Sequence, residues 1–118
     1  MPNPYGVAEV SVQEVARKRA DNEDIVLIDV REQQELQLAH LGEDVVWVPL
    51  SDLAARRLEA LPPSLEDKQT EIVVFCHTGV RSAQVAAWLI QEGWINVLNM
   101  TGGIDAYARQ VEPAIGLY

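Results

Sequence analysis

The sequence contains a single cysteine, Cys76, and only two histidines. One cysteine cannot form an internal disulfide, and no group of Cys and His residues has the spacing of a zinc site. We therefore expect a free thiol, no bound metal and no cofactor. The segment 1–5 lacks a basic stretch followed by an apolar run, which predicts no secretory signal. Together with the free thiol, this favours a reducing, cytoplasmic location.

Long hydrophobic runs are also missing, because no stretch approaches the ~18 consecutive apolar residues that a membrane span needs. Basic residues are scarce: 9 Lys and Arg stand against 18 Asp and Glu, for a net charge of -9. Such a chain repels phosphate backbones and anionic lipid headgroups. The sequence thus predicts neither a nucleic acid nor a membrane as partner. Its 118 residues suit one hydrophobic core, so we expect a single domain over 1–118.

Short apolar runs alternate with stretches of helical periodicity along the chain. The predicted strands are 8–10, 25–29, 45–48, 72–75 and 95–98. The predicted helices are 12–20 after a Ser11 cap, 32–38, a helix capped by Ser51 that ends at 61, one that follows Arg81 and ends near 92, and 103–108. This alternation predicts an α/β fold with a central five-stranded, mainly parallel sheet covered by helices on both faces.

The residues that carry chemistry follow the strand 72–75. Cys76 stands at the carboxyl end of that strand and just before a helix, where open α/β sheets collect reactive groups. The helix N-terminus stabilises a thiolate, and Arg81 adds a permanent positive charge five positions later. Gly79 lets the loop turn tightly enough for backbone amides to converge on the sulfur. We therefore expect Cys76 to be a reactive thiolate.

A lone cysteine at a strand end is by itself more often an inert packing residue than a nucleophile. The complete pattern of strand, Cys, four residues that include Gly, Arg and helix favours the nucleophile. His77 is interpreted as a loop-lining residue, because a loop that already stabilises a thiolate requires no base. Asp29 and Arg31 are interpreted as structural support, an ion pair that anchors neighbouring loops, since a buried carboxylate must be paired.

Four further residues have predicted structural roles. His40 is interpreted as a turn residue whose ring bonds to the backbone, and Trp47, Trp88 and Trp94 as packing residues.

The loop 76–82, Cys-His-Thr-Gly-Val-Arg-Ser, resembles the active-site loop of the rhodanese-domain sulfurtransferases. Three other segments resemble that family: Asp-Val-Arg at 29–31 with Glu35 after it, Ala-His-Leu at 39–41 for its Gly-His-Ile, and Gly102-Gly103 followed by Tyr107. The resemblance extends from about residue 10 to 113. Three departures are Ala39 in place of Gly, one additional residue between 39 and 49, and Tyr107 where Trp is frequent.

The resemblance implies a rhodanese-like fold and catalysis by Cys76 and Arg81. Cys76 would take sulfane sulfur from a small anionic donor such as thiosulfate and hold it as a persulfide. The family's substrate-binding loop corresponds to His77, Thr78, Gly79, Val80 and Ser82. Its amides would surround the terminal sulfur, with hydroxyl donors at Thr78 and Ser82, while Arg81 steers the donor. A thiol, cyanide or a protein thiocarboxylate would then accept the sulfur.

Two alternatives to a free-standing sulfurtransferase remain open. Cysteine phosphatases and arsenate reductases also place a cysteine and an arginine around an anion, but they hold five residues between the two. Here four residues intervene, and Phe75 rather than His precedes Cys76. The second alternative is a persulfide carrier or regulatory module that acts only with a protein partner.

Overall fold

The computed structural model describes residues 3–118 and is built around a parallel β-sheet. The strands are β1 (Glu9–Val10), β2 (Ile25–Asp29), β3 (Val45–Trp47), β4 (Glu71–Phe75) and β5 (Val97–Met100). They lie in the order β1-β5-β4-β2-β3, and all four pairings are parallel. The predicted five-stranded sheet is confirmed, with the strand that precedes Cys76 at its centre.

Five α-helices surround this sheet among the described residues. They are α1 (Val12–Ala20), α2 (Gln33–Leu36), α3 (Leu50–Arg56), α4 (Val80–Gln91) and α5 (Gly103–Gln110). Short 3₁₀ turns occupy Arg57–Ala60, Pro63–Leu65 and Pro113–Ile115. None of the helices in the described part of the chain is long and apolar enough to cross a membrane.

Strand β4 shows how helices cover both faces of the sheet. Ile72 and Val74 pack in one core cluster with residues of α3 and α4, whereas Val73 and Phe75 pack in a second cluster with residues of α1 and α5. All four side chains are fully buried. A strand that is buried on both faces reads as a continuous apolar run, which is why its position was predictable from the sequence.

Helix α3 differs from the prediction at both ends. Its N-cap is Pro49 rather than Ser51, because the amide and hydroxyl of Ser51 donate to the Glu32 carboxylate at 3.1 and 2.6 Å. The α-helix stops at Arg56, since Arg57 adopts a left-handed φ of 52°. The chain then continues as a 3₁₀ turn, so the helix predicted to reach residue 61 is shorter.

Strand β5 starts two residues later than predicted and ends at Met100. Ile95 is 69% exposed, and its amide donates to the Lys68 carbonyl at 3.1 Å, so this β-branched residue belongs to a loop. One other expectation is wrong, because the helix predicted over 32–38 is confined to α2.

Candidate active site

Cys76 lies at the carboxyl end of β4 with 1% of its surface exposed. Its Sγ atom accepts hydrogen bonds from the Gly79 amide at 3.2 Å, the Ser82 amide at 3.4 Å and the Ser82 hydroxyl at 3.3 Å. We call these three donors the Cys76 cradle. Both amides belong to the turn that opens α4, where backbone N–H groups have no partner within the helix. The cradle therefore directs partial positive charge at the sulfur.

Two glycines make this turn possible. Gly79 is the N-cap of α4, and its φ of 102° is one that side chains rarely allow. Gly103, at the start of α5, packs closely against the backbone of the Cys76 loop. A Cβ there would overlap the carbonyl oxygens of Cys76 and His77. The amides of Ile104 and Asp105 bind those same two carbonyls at 2.9 and 3.0 Å. The N-terminus of α5 thus holds the Cys76 loop against β4.

Arg81 points its guanidinium at Glu35, which lies in α2. Its Nη1 and Nη2 donate to the two carboxylate oxygens at 2.7 and 2.8 Å. This hydrogen bonding holds the pKa of Glu35 down at about 2, although partial burial opposes the shift. The same bonds raise the pKa of Arg81. The cation predicted to serve an anionic donor therefore already has a carboxylate partner in this structure.

Tyr118 joins this ion pair to the Cys76 loop. Its hydroxyl donates to Glu35 Oε1 at 3.1 Å and accepts from Arg31 Nη1 at 3.1 Å. Its ring stacks on His77, with centroids 3.9 Å apart and planes 12° apart. Burial raises the pKa of Tyr118. His77 thus lines the loop against Tyr118, and its Nε2 atom is buried without a hydrogen-bond partner among residues 3–118.

Asp29 and Arg31 form the ion pair that the sequence predicts. The pair is fully buried, with Arg31 Nη2 2.8 Å from Asp29 Oδ2 and Arg31 Nε 3.0 Å from Oδ1. Burial alone would lower the pKa of Arg31, but the hydrogen bonds to Asp29 and Tyr118 outweigh it and raise the pKa. Arg31 also donates to the carbonyls of Glu35 and Ala39 at 3.2 and 2.9 Å. The pair thereby anchors the segment that carries Glu35.

The other predicted loop residues have different environments. Ser82 is fully buried in the Cys76 cradle, whereas Thr78 and Val80 are exposed on its rim. Within residues 3–118, the amides that reach Sγ are those of Gly79 and Ser82. The wider ring of amides around a terminal sulfur, and a hydroxyl bond from Thr78, stay predictions.

The structural roles assigned to His40 and the tryptophans can also be compared with the structure. The His40 ring accepts from the Gly42 amide at 2.9 Å, as predicted for a turn residue. Trp94 is buried, and its indole donates to the Leu65 carbonyl, while Trp47 is 43% exposed and donates to the Arg31 carbonyl. Across residues 3–118, no three His, Cys, Asp or Glu side chains are grouped so that they could hold a metal ion.

Sequence reasoning missed two residues at this site, Asn99 and Tyr118. Asn99 is 2% exposed and accepts a 2.5 Å hydrogen bond from the Ser82 hydroxyl. The sequence signal that could have indicated Asn99 is its position as a polar residue inside the apolar run Val-Leu-Asn-Met at 97–100. For Tyr118 the sequence offers no local signal, because its contacts lie far away along the chain.

Comparison with known proteins identifies the family of this chain. The pattern of the rhodanese-like domain matches residues 11–110. The chain belongs to the rhodanese-like domain family. Two of the segments that resemble this family are the loop that forms the Cys76 cradle and Gly102-Gly103 at the start of α5.

Two relatives and one solved structure illustrate what this chain is similar to. A sulfurtransferase from Allochromatium vinosum is 33% identical over 109 residues, covering 92% of this chain and 95% of that protein. A tRNA uridine(34) hydroxylase from Photorhabdus laumondii is 31% identical, but this chain spans only 30% of its length. The crystal structure of a rhodanese-related protein from Thermoplasma volcanium matches with a TM-score of 0.72 and 23% identity, covering 90% of this chain and 95% of that one. The family and the similarity to this sulfurtransferase support a sulfur-transfer enzyme.

We expect the Glu35–Arg81 pair to make folding sensitive to acid. The pKa of Glu35 falls from its ordinary 4.5 to about 2 on folding, so its contribution is complete above pH 4.5 and is lost as the pH falls towards 2. Glu35→Gln should remove that part of the acid dependence. Because Arg81 is about one third exposed, we expect a difference of only about 1–2 kcal/mol. Urea unfolding from pH 6 to pH 2.5 measures it.

Glu66→Gln is the control, since Glu66 is an exposed carboxylate away from this pair. The free energy of unfolding of Glu66→Gln should depend on pH in the same way as that of the wild type. An acid dependence of Glu35→Gln that equals that of the wild type would contradict a stabilising role for the pair.

Proposed function

We propose that this chain is a sulfurtransferase that carries sulfane sulfur as a persulfide on Cys76. The Cys76 cradle is the observation that carries this proposal, because three hydrogen-bond donors lie within 3.4 Å of one sulfur atom. Hydrogen bonds to a charged acceptor favour the charged form, so the cradle suits a thiolate or a persulfide anion. The four-residue span between Cys76 and Arg81 makes a small loop, suited to a single sulfur atom rather than a tetrahedral oxyanion.

The reaction has two displacement steps. The Cys76 thiolate attacks the sulfane sulfur of thiosulfate, a new S–S bond forms, and the original S–S bond breaks so that sulfite leaves with its electron pair. A nucleophilic acceptor, which is a thiol, cyanide or a protein thiocarboxylate, then attacks the terminal sulfur and regenerates the Cys76 thiolate. Because the sequence has no second cysteine, the acceptor must come from outside the chain.

Arg81 supports this role through the donors that Glu35 leaves free. Two of its N–H groups bind the Glu35 carboxylate, and a guanidinium has five. The remaining three can bind the oxygen atoms of an anionic donor. Since Glu35 balances the charge of Arg81, we propose that Arg81 orients the donor by directed hydrogen bonds as well as by its charge.

Arg81→Ala should therefore weaken the use of anionic donors. We expect kcat/KM for thiosulfate to fall about 10- to 100-fold, mainly through KM, because charge-assisted hydrogen bonds of about 1.5–3 kcal/mol are lost. A neutral organic trisulfide should lose much less. Initial rates with each donor measure the difference. Arg56→Ala, which removes an arginine from an exposed pair with Asp52, is the matched control. Equal losses with both donors would contradict a role in donor binding.

The assay that tests the proposed function follows thiocyanate formation from thiosulfate and cyanide, beside hydrolysis of an aryl phosphate. Sulfur transfer predicts thiocyanate and no phosphate release. Phosphate release without thiocyanate would overturn the proposal and favour a cysteine phosphatase.

A persulfide carrier that needs a protein partner is the second candidate, and the burial of Cys76 favours it. With 1% of Cys76 exposed, a bulky acceptor reaches the sulfur only if the rim of the loop moves. Such a carrier would load sulfur from thiosulfate but turn over slowly with small thiols. Rapid turnover with a small thiol alone would exclude it.

A further inference from the structure

Asn99 is a buried polar residue that connects two parts of the Cys76 loop. It lies in β5 and pairs with Val74 of β4, close to the carboxyl end of the strand that leads to Cys76. Its Nδ2 donates to the Gly79 carbonyl at 3.1 Å and to Glu9 Oε2 at 2.8 Å. Its Oδ1 accepts from the Ser82 hydroxyl at 2.5 Å. The side chain therefore has a partner for both N–H groups and for its oxygen.

These partners fix which way the amide group points. A carbonyl oxygen and a carboxylate oxygen can only accept, so Nδ2 must face Gly79 and Glu9. Glu9 is itself held, because the Thr101 hydroxyl donates to its Oε1 at 2.8 Å. Asn99 Oδ1 is consequently directed at Ser82, without freedom to flip.

The residues that Asn99 holds are the two that supply the Cys76 cradle. Gly79 gives one amide to Sγ, and Ser82 gives one amide and its hydroxyl. The Ser82 hydroxyl has one proton, while Asn99 Oδ1 and Cys76 Sγ both lie within hydrogen-bond distance. When the sulfur is a neutral thiol, the hydroxyl donates to Asn99. A negative sulfur draws the proton to itself, because hydrogen bonds to ions are the stronger ones.

We propose that Asn99 is the positioning residue of the Cys76 cradle. It holds the Gly79 carbonyl and the Ser82 hydroxyl in place from the rigid strand β5, so that the donors meet the sulfur when charge develops on it. The inference rests on the proposed sulfur transfer for its kinetic consequence, but the effect on the thiolate itself does not require that activity. Asn99 acts through Gly79 and Ser82 and does not touch the substrate.

Charged and titratable groups surround the sulfur on several sides and bear on any pH profile. They are Glu9 behind Asn99, Arg81 and Glu35 beside the loop, and His77 and Tyr118 against it. An uncharged substitution of Asn99 leaves all of these groups in place. A shift in the pH profile of Cys76 reactivity therefore reports the loss of the hydrogen bonds that Asn99 makes to Gly79 and Ser82.

The test measures the rate of Cys76 alkylation by iodoacetamide against pH, which needs no sulfur donor. In Asn99→Ala we expect the midpoint to rise by about one pH unit, since the thiolate loses well-placed donors. We expect kcat/KM for thiosulfate to fall about tenfold. Asn96→Ala is the control, because Asn96 is an exposed asparagine just before β5 that binds the Gln69 carbonyl. If Asn99→Ala does not fold, Asn99→Ser keeps a polar group and adds no charge, but its side chain is too short to hold both Gly79 and Ser82, and its midpoint should also rise.

A double variant separates positioning from simple destabilisation. If Asn99 acts through Ser82, the rate loss in Ser82→Ala/Asn99→Ala is smaller than the product of the two single losses. An unchanged alkylation midpoint in the Asn99 variants, or losses that multiply fully, would overturn the proposal. A shifted midpoint in a chain whose wild type forms no persulfide would support Asn99 and reject the sulfur transfer, so the two failures are distinguishable.

Discussion

Cys76→Ser will abolish sulfur transfer, with a fall in turnover of at least about a thousandfold. The serine hydroxyl fits the space, but it cannot hold a sulfane sulfur as a persulfide. The chain has no other cysteine that could take its place. Thiocyanate formation from thiosulfate and cyanide measures the loss, and urea unfolding shows whether the fold is retained.

Ser82→Ala is the matched control for this variant. It keeps the nucleophile and both amides of the Cys76 cradle and removes only the hydroxyl at 3.3 Å. We expect a partial loss, about tenfold, since one hydrogen bond to the anion disappears. Turnover in Cys76→Ser that matches Ser82→Ala or the wild type would contradict covalent catalysis by Cys76.

Asp29→Ala will cause the largest loss of stability. It leaves the fully buried Arg31 guanidinium without its counter-ion, and breaking a buried pair in this way costs about 3–5 kcal/mol. A domain of this kind is stabilised by only about 5–15 kcal/mol in total. Urea unfolding of the variant should therefore show a much lower midpoint. Sulfur transfer should also fall, because Arg31 anchors the segment that carries Glu35.

An exposed ion pair supplies the comparison for Asp29. Asp52 and Arg56 lie 3.2 Å apart on the surface of α3, with 55% of the Arg56 side chain exposed. Asp52→Ala should cost less than about 0.5 kcal/mol. Equal losses of unfolding free energy in Asp29→Ala and Asp52→Ala would show that burial of the Asp29–Arg31 pair does not determine its contribution to stability.

The position of Cys76 was predictable because its determinants are local. A strand that is buried on both faces, a glycine three residues after the cysteine and a helix that begins at once are all visible in consecutive residues. Together they place a sulfur against unpaired amides. The ion-pair partner of Arg81 was harder to predict from the sequence, because Glu35 lies 46 residues away along the chain. The sequence marks Glu35 only through its likeness to an acidic residue of the family.

Asn99 and Arg57 show two other limits of the sequence pattern. Asn99 interrupts an apolar strand, and its function depends on Ser82 and Glu9, which come from other elements. Periodicity cannot show such contacts. Arg57 ends α3 through a left-handed backbone, which is uncommon for a residue other than glycine. No neighbouring residue signals that conformation, so the sequence predicts a continuous helix there.

Intact-protein mass spectrometry after incubation with thiosulfate tests the central claim most directly. The proposal predicts a gain of one sulfur atom in the wild type, reversed by a reducing thiol and missing in Cys76→Ser. Fragmentation should place the added sulfur on Cys76. A wild type that gains no sulfur from thiosulfate, or that gains it equally with Cys76→Ser, would contradict a persulfide on this cysteine.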